Sequence, residues 1–92
     1  MRIVICDDNT AFLTQIEEIV SRTYRDMQKE IHCSCFQSGQ LLLEELKKSD
    51  VDLLLLDIDM PEISGLEVAR VLRKMEKESI LIFISSYESY VF

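Results

Sequence analysis

The sequence predicts an α/β fold, in which an open and mostly parallel β-sheet carries helices on both faces. Two observations lead to this prediction. Short apolar segments alternate with segments of helical periodicity along the 92-residue chain, in the order β-α-β-α-β-α-β. The third apolar segment contains the four leucines that open LLLLDIDMPEISG (residues 53–65), and this run is apolar on both faces up to its aspartate, as expected for a parallel strand covered by helices on either side. Short connections and right-handed crossovers complete the prediction.

The first part of the chain contains a strand, a long helix and a second strand. Residues 3–6 form a short apolar strand that ends at two acids, Asp7 and Asp8. Apolar residues then recur at three- and four-residue intervals, which predicts an amphipathic helix from about Thr10 to Gln28. Its expected apolar positions are Phe12, Leu13, Ile16, Ile19, Val20 and Met27. Residues 31–36 alternate between apolar and polar character and form the second predicted strand.

The second helix and the third strand follow. Ser38 and Gly39 open a helix that should end at Ser49-Asp50. Its expected apolar positions are Leu41, Leu42, Leu43 and Leu46. Residues 51–56 are too few for a buried helix, so they are predicted to form the third strand.

The last predicted elements are a third helix and a fourth strand. Ser64 and Glu67 have the spacing of a capping box, which places a helix start there. The expected apolar positions of this helix are Leu66, Ala69, Val71, Leu72 and Met75. Residues 80–84 form a continuous apolar strand.

Size and charge narrow the class of protein. The chain accommodates one domain, and its 17 acidic and 10 basic residues give a net charge of -7. The basic residues are scattered over the helices, so we expect no direct nucleic-acid binding by this segment. No apolar stretch is long enough for a signal-peptide core or a membrane span. We therefore expect a cytoplasmic protein without membrane contact.

The cysteines are expected to be free thiols. Cys6, Cys33 and Cys35 are an odd number in a reducing compartment. A metal site built from these three thiols and His32 is the alternative, but adjacent residues of a strand point to opposite faces of the sheet. His32 is therefore not expected to join the thiols of Cys33 and Cys35.

Polar residues follow three of the four predicted strands. If the first and third strands are neighbours, as the flavodoxin-like strand order 2-1-3-4-5 requires, Asp7, Asp8 and Asp57 converge at the carboxyl edge of the sheet. Such carboxylates repel one another by about 4 kcal/mol per pair at ~4 Å. A hard divalent cation such as Mg²⁺ would neutralise them. The alternative for any single acid is a solvated loop position.

The same residues could carry phosphoryl chemistry. An aspartate beside Mg²⁺ can act as a nucleophile toward phosphorus and form an aspartyl-phosphate. The hydroxyl of Ser85, after the fourth strand, could donate a hydrogen bond to a phosphoryl oxygen, or it could be an ordinary strand-end serine.

These residues resemble the receiver domain of bacterial two-component response regulators over essentially the whole chain. The shared features are the acidic pair after the first strand, an acceptor aspartate after the third, a loop with Met-Pro and Gly, and a hydroxyl after the fourth strand. In this sequence they are Asp7, Asp8, Asp57, Met60, Pro61, Gly65 and Ser85. The resemblance implies a flavodoxin-like (CheY-like) fold and one receiver domain over residues 1–92.

The resemblance also assigns roles. A sensor histidine kinase would phosphorylate Asp57, and Ser85 would contact the phosphoryl group. Asp8 would bind Mg²⁺ directly, Asp7 largely through water, and Asp59 through its backbone carbonyl. Phosphorylation would control a transcriptional output domain. The receiver itself would act as a phosphoacceptor and not as an enzyme.

The chain departs from the family pattern in two ways. Serine stands at Ser85 where the family more often has threonine, and the chain stops at Phe92. A complete receiver continues through a fourth helix, a fifth strand that supplies a phosphate-binding lysine, and a fifth helix, so the fold is expected to be incomplete at four strands. The lysines present should lie near the opposite edge of the sheet. The segment FISSYESYVF is similar to regulators with a LytTR-type DNA-binding output domain.

Three further expectations follow. The fourth strand would be a bare sheet edge, which favours homo-oligomers by edge pairing or by exchange of a terminal element.

The strand followed by Asp-x-Asp also resembles haloacid-dehalogenase-type phosphatases, although Met60-Pro61 replaces the small residues expected there. A third alternative is an interaction module that is never phosphorylated.

Overall fold

The structure, a computed structural model, describes residues 1–85 and contains the predicted order of elements in that range. The elements are β1 (Arg2–Cys6), α1 (Thr10–Asp26), β2 (His32–Phe36), α2 (Gly39–Lys48), β3 (Leu53–Asp57), α3 (Gly65–Lys74) and β4 (Ile80–Ile84). Their ends differ from the predicted ends by two residues at most. The FISSYESYVF segment continues past Ser85, and its residues 86–92 lie outside the described range.

The four strands of this range form one parallel sheet in the order β2-β1-β3-β4. The central pair, β1 and β3, is the predicted pair of neighbours, with Cys6 opposite Leu56. β3 also pairs with β4, where Asp57 lies opposite Ile84. The flavodoxin-like order is therefore confirmed over its first four strands.

Both faces of the central strands, β1 and β3, are buried, and successive residues of each strand face opposite sides of the sheet. Leu54 and Leu56 pack in one cluster with α2 and α3, while Leu53 and Leu55 face the other cluster under α1. β3 needs four consecutive leucines because both of its faces pack against apolar residues. Helices thus cover both faces, as predicted.

Each helix begins at a side chain that caps its first turn. The Asn9 side chain accepts a hydrogen bond from the backbone N–H of Phe12 at 3.1 Å. Ser38 and Ser64 accept in the same way from the third residue after them. The predicted helix start at Ser64 is confirmed, since its oxygen lies 3.2 Å from the backbone nitrogen of Glu67.

The predicted apolar faces of the helices were partly wrong. Ile19, Met27, Leu41 and Leu66 are about half exposed. Val68, which was not among the expected positions, is fully buried. A helix that packs on a sheet buries a narrow stripe, here Gly65, Val68 and Leu72 of α3, and apolar residues on either flank remain accessible.

The second strand separates His32 from the two thiols, as predicted. Cys33 and Cys35 pack toward the cluster under α1, whereas His32 is exposed and Phe36 packs toward the opposite cluster. All three cysteines are free in the structure. Among residues 1–85, no helix has the length and apolar character needed to cross a membrane.

Candidate functional site

Three carboxylates meet at the carboxyl edge of the sheet. Asp57 is the last residue of β3, and Asp7 and Asp8 follow β1, its neighbour in the sheet. One oxygen from each of these side chains lies within 4.8 Å of the others. The predicted convergence is confirmed.

The three acids differ in their surroundings. Asp7 is fully buried and Asp57 is 6% exposed, whereas Asp8 is exposed. One oxygen of Asp7, Oδ1, accepts a hydrogen bond from the backbone N–H of Asn9 at 2.8 Å. The other, Oδ2, is buried and has no hydrogen-bond partner, unlike every other buried side-chain oxygen or nitrogen described. A buried acceptor without a donor costs about 1–3 kcal/mol, so this oxygen marks a place for a ligand.

Burial and mutual repulsion raise the pKa of the two buried acids. Desolvation is the main cause for Asp7, followed by the charge of Asp8 and opposed by the Asn9 hydrogen bond. For Asp57, desolvation and then the charge of Asp7 raise the pKa from 3.8 to about 7. A hydrogen bond from the Asp59 backbone opposes this rise. Neither of the ion pairs among residues 1–85 involves Asp7 or Asp57.

These residues fit a hard divalent cation. The donor set consists of carboxylate oxygens, which Mg²⁺ prefers, and it includes an oxygen that no protein group satisfies. Asp7, Asp8 and Asp57 are the groups that would hold the ion. The side chain of Asp59 is not part of this trio, and the metal contact through its backbone carbonyl stays a prediction.

Close packing fixes the position of Asp57. The backbone N–H of Gly65 donates to the carbonyl of Ile58 at 2.8 Å, which draws the start of α3 against the end of β3. A Cβ atom at Gly65 would lie 2.0 Å from the Asp57 carbonyl oxygen. Only glycine fits there. Gly65 is the first residue of α3. The family pattern had placed it in the preceding loop.

A buried sulfur pair lies at the end of β1, next to Asp7 in the chain. Cys6 and Met60 are both buried, and their sulfur atoms are 3.6 Å apart. Burial, followed by the charges of Asp7 and Asp57, raises the pKa of the Cys6 thiol to about 12. This thiol is therefore protonated and packs as an apolar group in the cluster with α2 and α3.

Asn9 belongs to the site although the sequence did not identify it. Its backbone N–H binds Asp7 while its side chain caps α1, so the start of the helix and the acid are held together. An asparagine just before an amphipathic helix is a signal for a cap. The second contact, to Asp7, has no such signal.

The remaining predicted groups are placed by the topology. Ser85 is one residue past the Asp57–Ile84 pair, at the same edge of the sheet as the acids. The described lysines lie in or after helices that run toward the opposite edge. Lys77, for example, pairs with Asp50 just before β3, with its Nζ 2.6 Å from Oδ1. No lysine of residues 1–85 is therefore close to the acids.

Comparison with known proteins decides the family. The family model of the response regulator receiver domain matches residues 3–91. The chain belongs to this family. The carboxylates of this receiver stand at the strand ends where the resemblance placed them, while the roles assigned to them remain predictions.

Curated relatives agree with the assignment. The receiver is 33% identical over 85 residues to the response regulator protein TodT from Pseudomonas putida, which covers 92% of this chain and 35% of TodT. It is 26% identical over 90 residues to the sensory transduction protein LytT from Bacillus anthracis, covering 98% of this chain and 35% of LytT. The chain thus spans about a third of the length of these relatives.

Solved structures agree on the fold. A CheY-like receiver domain protein from Methanospirillum hungatei superposes with a TM-score of 0.79 at 23% identity, over 94% of this chain and 64% of that one. The response regulator TrrA from Thermotoga maritima, solved in complex with Mg(2+)-BeF, gives a TM-score of 0.68 at 33% identity, over 98% of this chain and 73% of that one.

Proposed function

We propose that this receiver accepts one phosphoryl group on Asp57 from a sensor histidine kinase, with Mg²⁺ as its cofactor. The observation that carries the proposal is the position of Asp57. It is a nearly buried carboxyl at the end of an apolar strand, beside two further acids and one unsatisfied oxygen. The complex of TrrA with Mg(2+)-BeF supports the same combination of cation and phosphoryl-like group here.

In the proposed transfer, an oxygen of Asp57 forms a bond to phosphorus while the bond from phosphorus to the donor nitrogen of the kinase histidine breaks. The leaving imidazole takes up a proton. Gly65 holds the acceptor in place through the tight contact of α3 with β3. Ser85 donates a hydrogen bond to a phosphoryl oxygen.

Asp7 and Asp8, with Asp57 and the Asp59 carbonyl, hold the cation. Bound Mg²⁺ supplies the positive charge that keeps Asp57 ionised at neutral pH and balances the charge of the phosphoryl oxygens. Since the chain covers about a third of TodT and LytT, the downstream effect is a proposal as well. We place the transfer in the cytoplasm and assign the output to a transcriptional regulator, for which the relatives named LytT favour the LytTR type.

The test is stoichiometric phosphorylation by acetyl phosphate. The 92-residue chain is incubated with acetyl phosphate and Mg²⁺, and intact mass is measured for wild type, Asp57→Asn and the matched exposed variant Asp26→Asn. We expect one phosphoryl adduct on wild type and on Asp26→Asn, and none on Asp57→Asn. Addition of a chelator should abolish the adduct.

Other outcomes distinguish the alternatives. An adduct that persists in Asp57→Asn would place the acceptor elsewhere and overturn the assignment. Absence of any adduct on wild type would favour the interaction module that is never phosphorylated. Multiple turnover of a phosphoester would favour the phosphatase alternative, whereas we propose that the receiver is not an enzyme in this sense.

A further inference from the structure

A second cluster of potential ligands lies away from the acidic edge. Cys33 and Cys35 project from the same face of β2, and Glu17 of α1 lies over them. The Cys35 sulfur is 3.2 Å from Oε2 of Glu17. One ligand atom from each of the three residues lies within 4.8 Å of the others, and all three side chains are partly buried.

The carboxylate of Glu17 is directed toward the thiols and not toward a basic side chain. Neither of the ion pairs found in residues 1–85 includes Glu17. Burial is the main cause that raises the pKa of both thiols, and the neighbouring Glu17 adds to it, bringing the pKa of Cys35 to about 12. The cluster therefore gathers two soft sulfurs and one negative oxygen in a half-buried place.

We propose that Glu17, Cys33 and Cys35 bind a thiophilic divalent cation of the Zn²⁺ type, with a fourth position open to solvent. Tetrahedral Zn²⁺ with bonds of about 2.3 Å to sulfur and ~2.0 Å to oxygen separates its ligand atoms by roughly 3.5–3.8 Å. The distance of 3.2 Å from the Cys35 sulfur to the Glu17 oxygen is slightly shorter than this range, and all three ligand atoms lie within 4.8 Å of one another. Small side-chain rotations would bring the three atoms to the spacing of a tetrahedral site.

The backbone of β2 favours a bridging ion over a disulfide. Residues i and i+2 of a strand are about 6.6 Å apart with parallel Cβ directions. A disulfide needs Cβ atoms about 3.5–4.5 Å apart, so linking Cys33 to Cys35 would distort the strand. An ion between the two sulfurs needs no such distortion. The cation replaces the thiol protons, and it ties α1 to β2 in the folded state.

The site is chemically distinct from the acidic edge. Mg²⁺ selects the all-oxygen trio, while thiolates select softer ions. His32, which the sequence suggested as a further ligand, faces away from the thiols, and Glu17 takes its place.

The experiment uses Co²⁺ as a spectroscopic probe for Zn²⁺. The reduced 92-residue chain is titrated with Co²⁺ in excess Mg²⁺, which occupies the acidic edge, and the sulfur-to-cobalt charge-transfer absorption is recorded. We expect a band at one equivalent that Zn²⁺ then abolishes by displacement. Zn²⁺ should also raise the thermal midpoint of the chain.

Variants assign the ligands. Cys33→Ser and Cys35→Ser should lose the band. Glu17→Gln should weaken binding by more than about tenfold, the lower end of the roughly 10- to 100-fold that even outer hydrogen-bond partners contribute. The matched exposed variant Glu18→Gln, and Cys6→Ala, which removes the third thiol, should bind as wild type does.

Far-ultraviolet circular dichroism establishes that each variant is folded. If a cysteine variant fails to fold, Glu17→Gln still tests the site, because it leaves the β2 thiols in place. The proposal is overturned if wild type shows no charge-transfer band up to millimolar Co²⁺. It is equally overturned if Glu17→Gln binds as tightly as Glu18→Gln, or if the band depends on Cys6.

Discussion

At the scale of single residues, the acceptor carboxyl is held in surroundings that favour its neutral form. Burial, and then the charge of Asp7, raise the pKa of Asp57 from 3.8 to about 7. Because the folded-state pKa lies above the unfolded value, the contribution of Asp57 to stability is fully present below about pH 4. It is lost as pH rises through about 7. Unless a cation is bound, Asp57 therefore contributes least to the stability of the folded state at the pH where the site would work.

This leads to a pH-dependent prediction. In a chelating buffer, Asp57→Asn should be more stable than wild type at pH 8 by about 1–3 kcal/mol, and the difference should shrink at pH 5. Urea denaturation at the two pH values measures the free energy of unfolding. Asp26→Asn is the matched control and should follow wild type. Parallel pH profiles for wild type and Asp57→Asn would show that the acid is not desolvated as described.

Single residues also show where prediction from sequence stops. Asp7, Asp8 and Asp57 were predicted together because strand order and the parallel direction place strand ends at one edge. The sequence does not reveal that Asp7 is buried and Asp8 exposed, since both simply follow β1. Glu17 was missed because its position over Cys35 depends on the rotation of α1 about its axis, which an apolar pattern fixes only loosely.

At the scale of elements, the junction between β3 and α3 determines the geometry of the acceptor. Gly65→Ala should destabilise the fold by more than about 2 kcal/mol, because its Cβ would collide with backbone and not with a flexible side chain. We also expect slower phosphorylation of Asp57, as the collision is with its own carbonyl. Urea denaturation and the acetyl phosphate assay measure the two effects.

The matched control for this prediction is Gly39→Ala at the start of α2. Its Cβ would approach a Val68 methyl carbon at 3.0 Å and the Ile63 carbonyl oxygen at 3.2 Å, a tight but relaxable contact. It should lose less stability than Gly65→Ala and keep the phosphorylation rate of wild type. Equal losses in both variants would argue against a special role for the β3–α3 junction.

The existence and order of the elements could be predicted from sequence, while the exact buried stripe of each helix could not. The expected face of α3 included Leu66 and omitted Val68, yet Leu66 is 48% exposed and Val68 is fully buried. The amphipathic pattern of the sequence is compatible with either position at the margin of the buried face. Which flank is covered depends on how the helix crosses the sheet, and this is a tertiary property.

At the scale of the whole molecule, β4 is the most exposed of the strands described. It lies at the edge of the sheet, and Ile80, Ile82 and Phe83 are 65%, 46% and 39% exposed. An apolar groove of about 460 Å³ runs beside Phe83 along α3, with Leu66 and Ala69 in its wall. An apolar strand edge of this kind is a template for another strand.

We therefore expect the 92-residue chain to self-associate through β4, and we expect its net charge of -7 to oppose this association at low ionic strength. Light scattering across micromolar concentrations should show dimers or larger species, in a fraction that rises with salt. Ile82→Lys should restore the monomer, because it places a charge on the exposed edge strand. Ile19→Lys, at an equally exposed apolar position on α1, should behave as wild type. A wild-type monomer at all concentrations and salt levels would mean that the edge is covered in solution, and equal effects of the two lysine variants would mean that the contact does not involve β4.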